Sequence, residues 1–225
     1  LYRDRSWITR LNAEGASAPA GQARGLLDLC DHMHKATGGL FDPTVQVLWD
    51  AAAQGHAPDT VRHLVGWEHV ALGTEIRLAP DQRITLNGIA QGWATDRVTE
   101  VLSTHGFTDA LVNIGEFRAE AGDWRIGIAD PFEGIVRTAR LSGGAVATSS
   151  PAGDRIGTQS HIFGPHGETA QWSTVSVEAR TAALADAMST ALCLAPRKLA
   201  EEMLLQPDIT AITLVAPNGD MAVLR

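Results

Sequence analysis

The chain is poor in cysteine, short of positive charge, and without an apolar run long enough to cross a bilayer. Each lack removes a class of explanation. Only Cys30 and Cys193 are present, far apart and each in an apolar stretch, where a thiol behaves as a small buried hydrophobe. Neither a zinc-ligand spacing nor a disulfide framework can be built from them. Lys and Arg number 18 against 26 Asp and Glu, for a net charge of −8. That balance argues against a nucleic-acid backbone as the main partner, because such partners call for clustered Lys and Arg. A phosphorylated ligand stays compatible with an acidic chain if a metal ion supplies the positive charge. No stretch of ~20 apolar residues occurs, so no segment reads as a membrane-spanning helix. Internal repeats, low-complexity tracts and a strict strand–helix–strand alternation are also missing.

What is there is enough apolar material for a core. With 225 residues, 44% of them hydrophobic, the chain can bury one sizeable core or at most two small ones. Residues 1–12 read as a short polar element closing on Leu11, and 13–21 as a loop rich in Ala, Gly, Ser and Pro. Apolar Leu26, Leu29, Cys30 and Met33 recur at helical spacing over 22–35, and Thr37-Gly38-Gly39 stops that helix. A second short helix carries Val45, Leu48 and Trp49, and Asp59 is placed to cap another through Leu64. Short strands are predicted over 69–72, 75–78 and 83–86, then a long helix from Asn87 or Gly88 to about His105. Further strands follow over 110–114, 124–128, 138–141, 145–148, 160–163 and 175–179. A helix around Asp186, a helix over 196–205, and strands over 211–215 and 221–224 complete the order. The expected fold is α+β, a single domain over 1–225 with a mostly antiparallel sheet and packed helices.

Four segments carry chemistry-bearing residues. In Ala185-Asp186-Ala187-Met188-Ser189-Thr190, Asp186 and Thr190 are four apart and share one face of an otherwise apolar helix. A carboxylate and a hydroxyl in that arrangement suit a hard cation such as Mg²⁺; they equally suit a hydrogen-bonded structural pair. In Thr37 to Val45, two glycines permit close backbone approach to a ligand, and Asp42, held extended before Pro43, is either a ligand contact or a local cap. Leu86 to Ala94 runs from strand to helix through Gly88 and Gly92, so its helix N-terminus can offer N–H groups to phosphate or simply begin a helix. Its spacing matches neither a Walker loop nor a dinucleotide fingerprint. Ser160 to Pro165 places His161 before a Gly-Pro turn, the usual setting of a hydrogen-bonded histidine.

Taken in order, these segments resemble one family. Tyr2-Arg3-Asp4-Arg5-Ser6 with Thr9-Arg10-Leu11-Asn12 is similar to its YRxDS…SRLN segment, and Thr37 to Val45 to its TGGxFDPTV. Asn87 to Asp96 resembles GGIAKGYAVD; Ala110 to Gly115 with Trp124 to Pro131 resembles ALVNLGG…WRVGIxDP. Ala145 to Ser149 resembles AVATS, Ser160 to Pro165 SHIxDP, and Leu184 to Leu192 LADALSTAL. The family is the ApbE type, the FAD:protein FMN transferases, and the resemblance covers essentially the whole chain. It implies a T-fold-like α+β domain whose usual first strand and helix lie upstream of Leu1.

The resemblance also implies a reaction. Such proteins bind FAD as substrate with Mg²⁺, cut the pyrophosphate, release AMP and join FMN to a Thr or Ser hydroxyl of an acceptor protein belonging to an electron-transfer complex. It assigns Asp186, Thr190 and the Gly88 backbone to the metal, His161 and Asp186 to catalysis, and Tyr2, Leu40, Phe41, Asp42, Thr85, Gln91 and Ile162 to FAD. It places the protein in the periplasm or on the outer face of the cytoplasmic membrane, with a possible lipid anchor upstream of the chain. Four positions depart from the pattern: Gln91 stands for the usual Lys, Thr85 and Gly164 each for an Asp, and Glu116 follows Gly115 where a second Gly is usual. The alternatives to transfer are an FAD-binding protein without turnover and an FAD pyrophosphatase giving AMP and FMN.

Overall fold

Helix caps and turn residues shape the first third of the chain. The computed structural model describes residues 6–157 and 159–225. Helix α1 (Trp7–Glu14) begins where the Ser6 hydroxyl accepts the Thr9 N–H, and ends at Gly15 in the left-handed region. It extends the polar element expected there into two helical turns, burying Ile8 and Leu11. Strand β1 (Ala16–Ser17) follows. Helix α2 (Ala23–Ala36) turns Leu26, Leu27, Cys30 and Met33 inward, and the Gly38 and Gly39 backbones, at φ +61 and +91, reverse the chain after it. A 3₁₀ turn, Pro43–Val45, leads into α3 (Gln46–Ala53). Pro58–Leu64 is 3₁₀ rather than α-helical. Asp59 sits inside its first turn and pairs with Arg62 instead of capping it.

Strands β2 (Ala71–Leu72) and β3 (Ile76–Arg77) join β1 in a small antiparallel sheet ordered β1-β3-β2. Residues 83–86 are extended but enter no ladder. The Asn12 amide takes both backbone groups of Ile84, donating to its C=O and accepting its N–H, each at 2.8 Å. A side chain thus does the work of a neighbouring strand.

Helix α4 (Ala90–Thr104) opens the second part of the chain. Strands β4 (Leu111–Asn113), β5 (Phe117–Ala119), β6 (Trp124–Asp130), β7 (Gly134–Leu141) and β8 (Gly144–Ser149) follow. The short pair β9 (Arg155–Ile156) and β10 (Gln159–Ser160) replaces the strand expected over 160–163. Strand β11 (Thr174–Ala179), helices α5 (Ala182–Leu192) and α6 (Arg197–Met203), and strands β12 (Ile209–Val215) and β13 (Met221–Leu224) close the chain.

Two compact units result. One comprises the described residues of Leu1–Leu86 and Arg155–Thr169, the other Asn87–Asp154 and Ala170–Arg225. The second is built on a six-stranded antiparallel sheet ordered β13-β12-β11-β8-β5-β4. Val175, Val177, Ile212, Leu214 and Val146 are buried on it, and α5, which buries Ala183, Ala187, Met188, Ala191 and Leu192, packs against β8 and β11. The β6–β7 hairpin adds Ile126, Ile128, Ala139 and Leu141 to a cluster with Ala119 and Val146. Helix α4 lies against α5. Among the described residues, no helix is long and apolar enough to cross a membrane.

Candidate functional site

The residues assigned to a metal come together in the second unit. Thr181 opens α5 by accepting the Leu184 N–H on its hydroxyl. The small, apolar residues that follow let the helix bury all but its polar stripe. One turn in, the Asp186 carboxylate is only 4% exposed. Its Oδ2 accepts the N–H of Gly92, on α4, at 2.9 Å, and no hydrogen bond to Oδ1 is present among the described residues.

One turn further, the Thr190 hydroxyl is 3.4 Å from Ser149 Oγ, which lies 2.8 Å from Ser189 Oγ. Gly88 presses its backbone onto the same threonine. A β-carbon added there would lie 3.0 Å from Thr190 Cγ2 and 3.1 Å from Oγ1. A glycine is therefore what lets main chain approach the hydroxyl. The arrangement offers a carboxylate, hydroxyls and backbone. Hard oxygen donors of this kind suit Mg²⁺, Ca²⁺ or Mn²⁺ and not a soft ion.

The electrostatics also fit a cation at this place. Burial pushes the Asp186 carboxyl up to about 7, opposed by the Gly92 N–H and reinforced by the charge of Asp96. Glu116, on the turn before β5, is buried as well and is pushed up to about 8, first by burial and then by the charge of Asp186. Its carboxylate accepts the Thr148 N–H at 3.3 Å. Two buried carboxylates, each pushed up by burial and by the charge of a neighbouring carboxylate, mark a place short of positive charge. The nearby Arg118 does not supply it, because its guanidinium is paired with Asp96 at 2.6 Å. The residues present therefore fit a divalent cation.

Gln91 is exposed, with its side chain laid over the Gly115 turn. A β-carbon at Gly115 would lie 2.8 Å from the Gln91 amide carbon. Glu116, Asp96, Ser149 and Ser189 surround the metal candidates; the sequence marks Glu116 only as a departure from the family pattern and singles out none of the other three. Asp96 and Ser149 close the segments that resemble GYAVD and AVATS, which is the signal that could have found them.

The remaining predicted residues belong to the first unit. Asp42 is buried and saturated by its own surroundings. Oδ1 accepts the Thr44 N–H at 2.7 Å and its hydroxyl at 2.5 Å, while Oδ2 accepts the Trp67 N–H at 3.1 Å. Burial raises its pKa against those bonds. The side chain is thus the cap of the 3₁₀ turn and the tie to Trp67. Phe41 is buried beside it, Leu40 is half-buried, and Thr85 reaches this turn through its N–H to Pro43 C=O at 2.8 Å. His161 and Ile162 are half-buried, with the Ile162 N–H on Ser160 Oγ.

At Gly164 an added β-carbon would lie 2.5 Å from the Glu168 carbonyl oxygen and 2.6 Å from its Oε2. The carboxylate of Glu168 thus occupies the space that the usual Asp would need. The same unit holds a cleft of about 790 Å³ lined by Asn12, Asp50, Gln54, His56, Gln82 and Arg83 among others, with none of the predicted FAD residues on its walls. Tyr2 lies outside the described residues.

Comparison with known proteins identifies the family and the fold. The sequence model described as the ApbE family matches residues 1–213. A curated FAD:protein FMN transferase of Rhodobacter capsulatus is 30% identical over 212 residues, covering 81% of this chain and 40% of that protein. One from Treponema pallidum is 27% identical over 164 residues, covering 57% of this chain and 45% of that protein. The chain spans less than half the length of these curated relatives. Among solved structures, the apo flavinyl transferase ApbE of Pseudomonas stutzeri matches with a TM-score of 0.82 at 27% identity, over 99% of this chain and 79% of that one. The ApbE protein of Thermotoga maritima shares the fold with a TM-score of 0.86 at 21% identity, over 97% and 81%. Motif order and fold agree with a family match over nearly all of the sequence, and the chain belongs to the ApbE family.

Proposed function

We propose that this protein transfers FMN from FAD to a Thr or Ser hydroxyl of an acceptor protein, with Mg²⁺ as the metal and AMP as the product released. The observation that carries the reading is the assembly of Gly88, Asp186 and Thr190 into one oxygen-donor cluster that is short of positive charge. Asp186 and Thr190 would hold the cation, with the Gly88 backbone beside them. A bound Mg²⁺ supplies the positive charge that a pyrophosphate needs as it is cleaved.

In the transfer, the acceptor oxygen bonds to the FMN-side phosphorus, and the bond from that phosphorus to the bridging oxygen breaks. The bridging oxygen leaves with AMP, and the hydroxyl proton passes to a base. By motif position that base is His161, and Leu40, Phe41, Asp42, Thr85, Gln91 and Ile162 bind FAD. The acceptor class, a flavin-carrying protein of an electron-transfer complex, and a location at the outer face of the cytoplasmic membrane follow from the resemblance alone.

The test is incubation of the purified protein with FAD, with and without Mg²⁺, and a threonine-containing acceptor domain, read by AMP release and acceptor mass. Mg²⁺-dependent AMP with an acceptor heavier by one FMN is the expected result. AMP and free FMN with every acceptor unmodified would replace the reading with a pyrophosphatase. Bound FAD without AMP would replace it with a flavin-binding protein.

A further inference from the structure

The cation candidates sit at one end of a ladder between α4 and α5. Gly88, Gly92 and Asp96 are spaced four apart at the start of and along α4; Ala182, Asp186 and Thr190 are spaced four apart along α5. Residues four apart on a helix share a face, so the two series form facing stripes. At the first rung, Gly88 main chain lies on Thr190. In the middle, the Gly92 N–H donates to Asp186 Oδ2 at 2.9 Å. There the helices are in backbone contact: a β-carbon at Gly92 would fall 2.2 Å from the Ala182 carbonyl oxygen. At the far rung, Asp96 reaches across to the free N–H groups that begin α5, accepting Ala182 N–H on Oδ1 at 2.8 Å and Ala183 N–H on Oδ2 at 2.9 Å. Arg118, from β5, donates to the same Oδ1 at 2.6 Å and fixes the carboxylate's orientation. Asp96 is 4% exposed and the Arg118 side chain 14%, so the pair is little screened by water.

We propose that Asp96 and Arg118 are positioning residues for the cation site, setting the register of α5 against α4 so that Asp186 and Thr190 meet the Gly88 main chain. The physical reason is leverage. A helix terminus held by two N–H bonds to one carboxylate cannot slide or rotate about its axis. The Asp186 carboxylate is one turn away from that clamp, and Thr190 two turns away. Neither Asp96 nor Arg118 is hydrogen-bonded to Asp186 or Thr190: Asp96 acts through the helix start that it holds, beside its charge on Asp186, and Arg118 acts through Asp96. Supporting groups of this kind commonly carry about 10–100-fold in metal affinity. The proposal rests on the cation reading given above.

The test uses the metal-free whole chain and Mn²⁺ alone, without FAD, as the probe. Three quantities are measured: the Mn²⁺ dissociation constant by calorimetry, the Gly92 amide proton shift by NMR, and the unfolding temperature. Asp96→Asn keeps the shape but loses one strong acceptor and the charge facing Arg118. It should weaken Mn²⁺ about tenfold and move the Gly92 amide resonance. Arg118→Gln leaves both N–H bonds in place and should weaken Mn²⁺ by about threefold, with a smaller shift; it serves if Asp96→Asn fails to fold. The double variant should be no worse than Asp96→Asn, because Arg118 acts through Asp96. Lowered unfolding temperatures with Mn²⁺ affinity within twofold of wild type and an unmoved Gly92 resonance would overturn the proposal, leaving a purely structural ion pair. A Gly92 resonance that moves in Asp96→Asn, with no Mn²⁺ binding by wild type, would sink the cation reading and with it the proposed role at a cation site.

Discussion

Substituting Gly92 by alanine tests the central contact of the site with a single methyl group. The added carbon would sit 2.2 Å from the Ala182 carbonyl oxygen, 2.5 Å from its carbon and 2.8 Å from Ala183 Cα. All three are backbone atoms of α5, so no side chain can swing aside. Relief requires the two helices to separate by about an ångström, a forced overpacking that costs about 1–3 kcal/mol. Separation also lengthens the Gly92 N–H bond to the Asp186 carboxylate, a charge-assisted bond contributing about 1.5–3 kcal/mol. Against this, alanine gains about 1 kcal/mol of helix propensity over glycine. The net is a loss of roughly 1.5–5 kcal/mol, from these terms combined.

For a chain of this length the loss corresponds to a fall of roughly 3–20 °C in unfolding temperature. The control is Gly25→Ala in α2. Gly25 has ordinary helical φ, no heavy atom within 4 Å of an added β-carbon, and an exposed position, so the same substitution should raise stability by about 0.4–1 kcal/mol. Thermal unfolding by circular dichroism reads both variants. If Gly92→Ala melts within 2 °C of wild type or above it, on the scale set by that propensity difference, the backbone contact between α4 and α5 is refuted.

Two further outcomes follow from the same site, and a third from Gly164 in the other unit. Asp186→Asn keeps an acceptor for the Gly92 N–H and removes the charge, so it should abolish Mg²⁺-dependent AMP release at little cost in stability, whereas Asp186→Ala should also lose about 1–3 kcal/mol from the orphaned N–H; denaturant titration beside the AMP assay separates the two, and retained turnover in Asp186→Asn would remove Asp186 from the metal. The folded-state values of about 7 for Asp186 and about 8 for Glu116 lie above those of an unfolded chain. The folded state therefore holds protons the unfolded state has released, and metal-free stability should fall as pH rises from about 4 through 8. Glu116→Gln should flatten that decline, and Mg²⁺ should stabilise more at pH 9 than at pH 6; an equal decline in Glu116→Gln and wild type would show that the pair is not the cause. At Gly164, restoring the usual aspartate drives its β-carbon into the Glu168 backbone carbonyl, so Gly164→Asp should lower the unfolding temperature, and Glu168→Ala in the same chain should not rescue it.

Local chemistry made much of this protein legible in its sequence. The helix from Ala182 to Leu192 is spelled by apolar, strongly helix-forming residues, and its Asp186–Thr190 spacing alone places both side chains on one face. Helix α2 and its Gly38-Gly39 stop follow from period and turn chemistry in the same way. The order of motifs, no one of them specific, pointed to the family that the whole-chain comparisons then returned.

Tertiary structure decided the rest. Strand β5 was invisible because three residues carry no period; it exists through its pairing with β4 and β8. Residues 83–86 have strand composition, yet Asn12, more than seventy positions earlier, takes the Ile84 backbone groups that a ladder would use. The capping reading of Asp42 was local, but only the fold brought Trp67 to its second oxygen. The donor cluster itself joins Gly92 to Asp186 across 94 positions, and Asp96 to Ala182 across 86. Periodicity and caps are interactions between residues a few positions apart, which a sequence displays directly. Which glycine meets which carboxylate depends on how two helices cross, and that is set by the packing of the whole unit.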